Sequence, residues 1–338
     1  MRVLLDLPLA SGGIGRYAYD LRSALGTIDQ RIEVSLVARP RLAPLGGPFT
    51  PWSRVIAAVR VLAARPLDLV HGLHFDLPRS SIPQVVTIPD LIPLQYPASM
   101  PSAFRRRIFE RTVRRSIESA SAVIVHSPAT SEALLSHGFP VDSVAVIPHG
   151  VGSGFRPSDD STRLEARERY AGGAPYVASI GSLKAHKNLA CTIVAAKLLA
   201  SDGIQVCVVG IPSSTAARAA SMRAIGRLPS EELSRFLAGA EAVLVPSYIE
   251  GFGLPALEAL ACGTPVVCGV GLGALPYIEQ AALVVDVDDP VAVADALRSL
   301  VGTPLRENLS DRGREIARQM SLEAMGRATA EVYRSVLG

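Results

Sequence analysis

The sequence predicts an α/β protein built from two doubly wound parallel sheets in tandem. Three observations predict it. Short β-branched runs recur along the chain, each followed by a helical pattern. That alternation stops in a stretch rich in Pro, Gly and Ser near the middle, then starts again. The length of 338 residues also suits two domains, at roughly 150 residues each.

In the first half the strands read as Val3–Leu7, Glu33–Ala38, Asp68–His71, Gln84–Ile88, Ala122–His126 and Ser143–Ile147, with a helix over Arg16–Leu25 after the first. This alternation of strands with helical patterns implies a parallel sheet covered on both faces. "PHGVGSGFRPSDDS" then has the composition of an interdomain linker. Strands resume at Tyr176–Ile180, Gln205–Val209, Ala242–Val245, Pro265–Cys268 and Leu283–Val285. Helices over Pro290–Val301, Leu305–Arg318 and Leu322–Val336 close the chain. Ligands of open parallel sheets sit at the carboxyl ends of the strands. Two such sheets predict a deep cleft where those ends face each other.

Hydrophobic residues make up 49% of the chain, enough for two cores. No charge-free apolar run approaches the ~18–20 residues of a membrane span. The start "MRVLLDLPLASGGIG" reads as strand and loop rather than signal peptide, so a soluble cytoplasmic protein is expected. Cys191, Cys207, Cys262 and Cys268 lack metal-ligand spacing and disulfide density, and read as reduced core thiols. A net charge of +3 gives no argument for nucleic acid as a partner. Only three lysines stand against 31 arginines, and two of them, Lys184 and Lys187, share one short loop.

In "SYIEGFGLPALEALACGTPVV" a buried strand ends at Pro246 and a loop runs from Ser247 to Leu254. Pro255 suits the first position of a helix, Ala256–Cys262 continues it, and Gly263 fits the residue past its end. The amides of Gly251, Phe252, Gly253 and Leu254, with the helix start, make an anion site suited to phosphate. A carboxylate repels phosphate, so Glu250 is assigned to sugar hydroxyls. Glu258, one turn into the helix, reaches a second set of hydroxyls. Hydroxyls at both ends and phosphate between them describe a nucleotide sugar. The competing reading makes Glu258 a partner of the helix dipole and Glu250 a solvated loop charge.

"SIGSLKAHKNLACTIVAAKLLA" repeats that architecture. The strand ends at Gly181, Asn188 caps the following helix, and Lys187 beside the cap is placed against phosphate oxygens. Lys184 and His186 are read as assisting residues or as exposed loop positions.

These residues resemble glycosyltransferase family 4, the retaining enzymes of the GT-B fold, and within it a mannosyltransferase-like, bacterial group. "EGFGLPALEALACGTPVV" is similar to the family's E-x7-E signature. "SGGIGRYAYDL", "VTIPDLIPLQYP", "SAVIVHSPATSEAL", "VIPHGV", "IGSLKAHKNL" and "GRLPSEELSRFLAGAEAVLVPS" extend the likeness over nearly the whole chain. The resemblance implies two Rossmann-like domains facing across a deep cleft: residues 1–155 as the acceptor-binding domain, residues 156–321 as the donor-binding domain. The C-terminal helix, about 322–338, would cross back to the first domain.

The resemblance further implies that Lys187 stabilises the leaving diphosphate, Glu250 holds donor-sugar hydroxyls and Glu258 binds the ribose. Gly181, Ser182, Leu228 and the amides of Gly251, Phe252, Gly253 and Leu254 complete the donor side, and Gly13 approaches the diphosphate from the first domain. Gly12, Arg16, His71, His74 and Pro89 are the acceptor-side candidates, with Asp90 beside them in a catalytic role. The family retains anomeric configuration through an oxocarbenium-like state and requires no metal or other cofactor.

Two positions depart from the pattern. Pro89 stands where relatives carry the histidine of a His-Asp pair, and proline offers neither a donor side chain nor an N–H. A donor sugar lacking one hydroxyl, a pentose or a 6-deoxy sugar, is the expectation that follows, and an inactive homologue is its alternative. His71, His74, His126 and His149 are possible stand-ins for that histidine. Ser182 replaces an arginine, which throws diphosphate binding onto Lys187.

"SAFRRRIFERTVRRSIESA" carries Arg105, Arg106, Arg107, Arg111, Arg114 and Arg115, with Phe104, Ile108, Phe109 and Val113 as a partial apolar face. This basic helix reads either as a peripheral contact for the inner membrane face or an anionic acceptor, or as a solvated surface. The function expected is sugar transfer from a nucleotide sugar to a hydroxyl-bearing acceptor in polysaccharide, glycolipid or antibiotic biosynthesis. A non-catalytic sugar-binding homologue and a nucleotide-sugar epimerase are the alternatives. A nicotinamide dehydrogenase fits less well, because "SGGIG" lacks the full dinucleotide fingerprint.

Overall fold

The structure, a computed structural model, describes residues 1–7, 12–38, 67–77, 80–141, 143–212 and 221–338. It divides into two compact units: Met1–Gly150 with Met320–Gly338, and Val151–Gln319.

The first unit contains β1 (Arg2–Leu7), α1 (Gly12–Ile28), β2 (Glu33–Ala38), β3 (Leu69–Gly72), β4 (Gln84–Ile88), α2 (Ile92–Gln95), α3 (Ala103–Ser119), β5 (Ala122–Val125), α4 (Pro128–Ser136) and β6 (Val144–Val146). Its strands form one parallel sheet in the order β2-β1-β3-β4-β5-β6. Side chains alternate between two cores, so apolar residues face both sides of the sheet. Val85 and Ile124 join Leu21 and Leu25 of α1 on one face. Val86 and Val123 join Phe109 and Val113 of α3 on the other.

The second unit contains α5 (Asp160–Ala171), β7 (Tyr176–Ile180), α6 (Leu189–Ala200), β8 (Gln205–Val209), β9 (Met222–Gly226), α7 (Ser230–Ala238), β10 (Ala242–Val245), α8 (Leu254–Ala261), β11 (Val266–Cys268), α9 (Leu275–Ile278), β12 (Ala282–Val284), α10 (Pro290–Arg298) and α11 (Pro304–Gln319). Its parallel sheet runs β12-β11-β10-β7-β8-β9. Leu199, Val206, Val208, Leu244, Val267 and Leu297 pack on one face. Tyr176 stacks on Phe236 at 5.6 Å and donates to its carbonyl.

The last helix, α12 (Leu322–Leu337), belongs to the first unit, where it packs on α1. A Cβ at Gly326 would lie 2.8 Å from the Cβ of Ala24, so only glycine allows this approach of the two helices.

Several local expectations are corrected. Gly12 and Gly13 lie in the first turn of α1 instead of a loop, while Ser11 of the same stretch falls outside the described residues. The end of the linker-like stretch is a helix start: Asp159 caps α5, accepting from the amide of Thr162 at 2.8 Å. Leu254 is already helical, so Pro255 is the second helical residue and Gly253 the cap. Phe104 is 71% exposed and no part of the apolar face of α3, which is formed by Phe109, Val113 and Ile117.

Candidate active site

In the second sheet the chain builds outward from β7 to β8 and β9, then returns to add β10 on the other side of β7. The order reverses between β7 and β10, and such a switch point opens a crevice at the carboxyl ends of the strands. The lysine loop follows β7 and the glutamate loop follows β10. Topology therefore brings together residues 63 positions apart in sequence.

After β7, Gly181 and Ser182 lead into a single 3-10 turn, Ala185–Lys187. Asn188 follows in the left-handed region at φ 47°, a conformation asparagine tolerates better than other side chains. Its side chain caps α6 by accepting from the amide of Cys191 and donates to the Val287 carbonyl at 3.0 Å. The turn and cap fix where the Lys187 side chain leaves the backbone. His186 is buried, correcting its reading as an exposed residue, because its carbonyl accepts from the amide of Tyr248 at 2.8 Å and ties the two loops. Burial pulls its imidazole below the ordinary range, against the opposing pull of Glu250. Its Nδ1 has no hydrogen-bond partner among the described residues.

After β10 the glutamate loop pairs with a second glycine-rich segment, "GVGLGA", over residues 269–274. The amide of Glu250 donates to Gly271 at 2.9 Å, and the amide of Ala274 donates to Phe252 at 2.7 Å. Gly253 takes φ 102°, and a Cβ there would meet Leu272 at 2.1 Å. The backbone conformation demands glycine, and Leu272 would have to shift for any larger residue. Sequence reasoning missed this second segment, although its alternating glycines were a legible sign of close backbone approach.

The Lys187 ammonium lies 2.5 Å from Glu250 Oε1, with side chains 21% and 11% exposed. Ser247, also missed at first reading, donates to the same oxygen at 2.6 Å. Glu258 stands one turn into α8 and is buried at 5% exposure. Phe252 turns inward, whereas Gly251 and Leu254 stay half-buried at the loop surface. Gly181 and Leu228 lie at the same sheet edge, where the amide of Gly181 donates to Val209 and that of Gly210 to Gly226. Lys184 is exposed.

The first unit's candidates sit differently. Asp90 Oδ1 accepts from the amide of Ile92 at 3.0 Å in a turn just before α2, and Pro89 is half-buried between β4 and this turn. Arg16 lies on α1, where its charge opposes the upward shift that burial gives the Asp20 carboxyl. His71 is inside β3, not after it. Its Nδ1 is 2.6 Å from the Tyr333 hydroxyl and its Nε2 is 2.8 Å from Thr87 Oγ1. Tyr17 reaches the same Thr87 hydroxyl at 3.2 Å. His74 is buried, its ring 3.5 Å from that of Phe75.

His126 bonds the Ile147 carbonyl through Nδ1 at 3.0 Å and stacks on His149 at 3.7 Å, while its Nε2 has no partner among the described residues. Burial pulls His71 down to about 3 and His126 down to about 4. His149 is lowered too, by burial and then by His126. All three are neutral at pH 7.

On α3 two of the six arginines are committed. Arg106 donates to the carbonyls of Met100 and Pro101, and Arg114 donates to Gly138 and lies over the Phe139 ring. Arg107, Arg111 and Arg115 are exposed, on the same side of the helix as Phe104. Among the described residues there is no group of three or more His, Cys, Asp or Glu side chains placed to hold a metal ion. No described helix is long and apolar enough to cross a membrane.

Two Rossmann-like units with a lysine–glutamate pair at a switch point describe a crevice-binding α/β protein, and comparison with known proteins gives its class. Residues 11–153 match the family profile described as Glycosyltransferase Family 4, and residues 160–316 match Glycosyl transferases group 1. The D-inositol 3-phosphate glycosyltransferase of Nocardioides sp. is 31% identical over 345 residues, covering 86% of this chain and 72% of that protein. The O-antigen chain mannosyltransferase B of Escherichia coli is 28% identical over 282 residues, covering 79% and 74%. Among solved structures, sucrose-phosphate synthase from Thermosynechococcus elongatus superposes with a TM-score of 0.80 at 21% identity over 99% of both chains. Anabaena HepE, solved with UDP-glucose, gives 0.76 at 18% identity, over 99% of this chain and 100% of that one. The chain belongs to the GT-B glycosyltransferases, in the group related to family 4.

Proposed function

We propose that the protein is a retaining transferase that moves a sugar from a nucleoside diphosphate sugar to an acceptor hydroxyl. The observation that carries this reading is the Lys187–Glu250 pair at the β7/β10 switch point: a cation for phosphate oxygens beside a carboxylate for hydroxyls. In this reading the bond between the anomeric carbon and the diphosphate oxygen breaks, and the acceptor oxygen attacks on the same face. The acceptor proton passes to the leaving phosphate. Lys187 and the loop amides stabilise the charge developing there, the largest single contribution such a site makes.

Glu250 accepts from donor-sugar hydroxyls and Glu258 from the ribose. The second unit binds the donor, and the first unit, with the last helix, binds the acceptor. The O-antigen chain activity named for the Escherichia coli relative supports an acceptor in polysaccharide or glycolipid synthesis.

Pro89 supports a pentose or 6-deoxy sugar as donor. The test is a thermal-shift panel of nucleoside diphosphates, followed by donor hydrolysis with hexose, 6-deoxyhexose and pentose donors on the native protein and on Pro89→His. Pentose or 6-deoxy preference in the native protein, shifted toward hexose by Pro89→His, is the expected result. A native protein already selective for an ordinary hexose removes the donor assignment.

The exposed row of Phe104, Arg107, Arg111 and Arg115 supports peripheral contact with an anionic bilayer at the inner membrane face. Co-sedimentation with phosphatidylglycerol vesicles, but not with phosphatidylcholine vesicles, is expected, and its loss in Arg107→Glu/Arg111→Glu confirms the surface. Equal behaviour on both lipids ends this assignment.

A further inference from the structure

The two oxygens of Glu250 are used unequally. Oε1 accepts from both Lys187 Nζ and Ser247 Oγ, at 2.5 and 2.6 Å, whereas Oε2 has no hydrogen-bond partner among the described residues. The two donors also differ in kind. Lys187 is a flexible ammonium with a second anionic claim on it, the donor diphosphate of the reading above. Ser247 is neutral, 3% exposed, and seated on the backbone just past β10. Pro246 restricts the chain on one side of it. On the other, the amide of Tyr248 is tied to the carbonyl of His186. A hydroxyl on such a support cannot follow an anion.

We propose that Ser247 is the positioning residue of the site: its hydroxyl holds Oε1 of Glu250 so that Oε2 alone faces the transferred sugar while Lys187 serves the diphosphate. The inference rests on the sugar-transfer reading and deepens it. Glu250 then presents one acceptor oxygen in a fixed direction, and a sugar whose hydroxyl meets that direction is selected. An anchored carboxylate avoids reorganisation during the reaction, which is the advantage a supporting shell gives to a charged group.

Two substitutions separate hydrogen bonding from packing. Ser247→Ala removes the donor, and Ser247→Cys keeps the shape with a poor donor. Both are expected to lower kcat by about 10- to 100-fold, the loss typical of a hydrogen bond to a charged group. Nucleoside diphosphate affinity, measured by calorimetry, stays within about twofold, because Lys187 and the amides are untouched. A Ser247→Cys enzyme with native kcat overturns the inference. So does a parallel loss of nucleotide affinity and kcat, which would make Ser247 a phosphate-side residue.

Crystal structures give a readout that needs no turnover and does not depend on the variants' activity. With nucleoside diphosphate bound to the native protein, the Ser247–Glu250 bond is expected to persist while Nζ of Lys187 turns to the phosphates. Loss of that bond overturns the inference. If no nucleotide binds, the sugar-transfer reading fails on its own, and Ser247→Ala still decides the positioning role. Glu250 displaced in that variant's structure supports it, and an unmoved carboxylate refutes it.

Discussion

The two units share a parallel, doubly wound sheet and differ in what they place at its carboxyl edge. In the second unit that edge carries a partly exposed lysine–glutamate pair, held by glycine-bearing loops. In the first it carries neutral groups turned inward: Tyr17, Thr87, His71 and Tyr333 in one hydrogen-bonded chain, with His126 stacked on His149. One edge keeps a charged pair within reach of solvent, which the proposed function assigns to a ligand's phosphate and hydroxyls. The other keeps His71, His126 and His149 uncharged and spends the hydrogen bonds of Tyr17, Thr87, His71 and Tyr333 on joining α1, β3, β4 and α12. The charged pair stands on strand-to-helix loops, which vary independently of the sheet beneath, whereas the neutral chain is built from the strands and helices themselves.

The contrast is broken most severely at the charged edge. Lys187→Ala and Glu250→Ala are each expected to lower transfer by about 100- to 1,000-fold, as the loss of a positioned charge in a transition-state site does. Circular dichroism and the melting temperature should stay near native values. If either variant keeps more than a third of native activity, the edge is not where the chemistry occurs. The partition between the two glutamates sharpens the same point: Glu258→Ala should weaken nucleotide binding more than Glu250→Ala does, as measured by calorimetry.

At the neutral edge the expected effect is on stability. His71 and His126 titrate far below the value near 6.5 of an unfolded chain. The unfolded form therefore takes up protons first as pH falls, so the stability these two residues lend is complete above about pH 6.5 and is lost toward pH 4. Between pH 6.5 and 5 each should forfeit about 1.5 kcal/mol. Urea unfolding at the two pH values, on the native protein and on His126→Gln, measures it, and an unchanged midpoint denies the cluster its buried, neutral state.

The smallest effect is at the Tyr333 hydroxyl. Tyr333→Phe leaves Nδ1 of His71 without its partner at a cost of about 1–2 kcal/mol. It should leave the nucleotide affinity of the other unit unchanged.

The strands were legible because both faces of each sheet are covered, which leaves long apolar runs such as "QVVTI" and "AVLV". Met222–Gly226 escaped notice for the opposite reason: it is an edge strand, partly exposed, with arginine at its second position. The helix Asp160–Ala171 was hidden by its charge, since most of it faces solvent and only Ala166, Tyr170 and Ala171 are buried. Two glycines masked the true start of α1.

At the site, residue types and loop positions could be read from spacing, as Lys187 and Glu250 illustrate. Their mutual contact could not, because it follows from strand order. Nor could the role of Ser247, whose significance lies in a direction of hydrogen bonding. His71 shows the limit in the other sense: its position beside a strand end suggested a ligand contact, and Tyr333, 262 residues away, claims it instead.

That long-range partner gives the molecule an order of assembly. The second unit is one continuous segment, Val151–Gln319, while the first is completed only by Met320–Gly338. A ribosome adding about 5–20 residues per second delivers the helix that covers Leu21 and Leu25 roughly 10–30 s after the rest of that unit has emerged. During that interval the second unit can fold by itself, but α1 and the sheet face beneath it lack Met325, Ala330 and Tyr333, which complete their core. The first unit is exposed to aggregation until that helix docks.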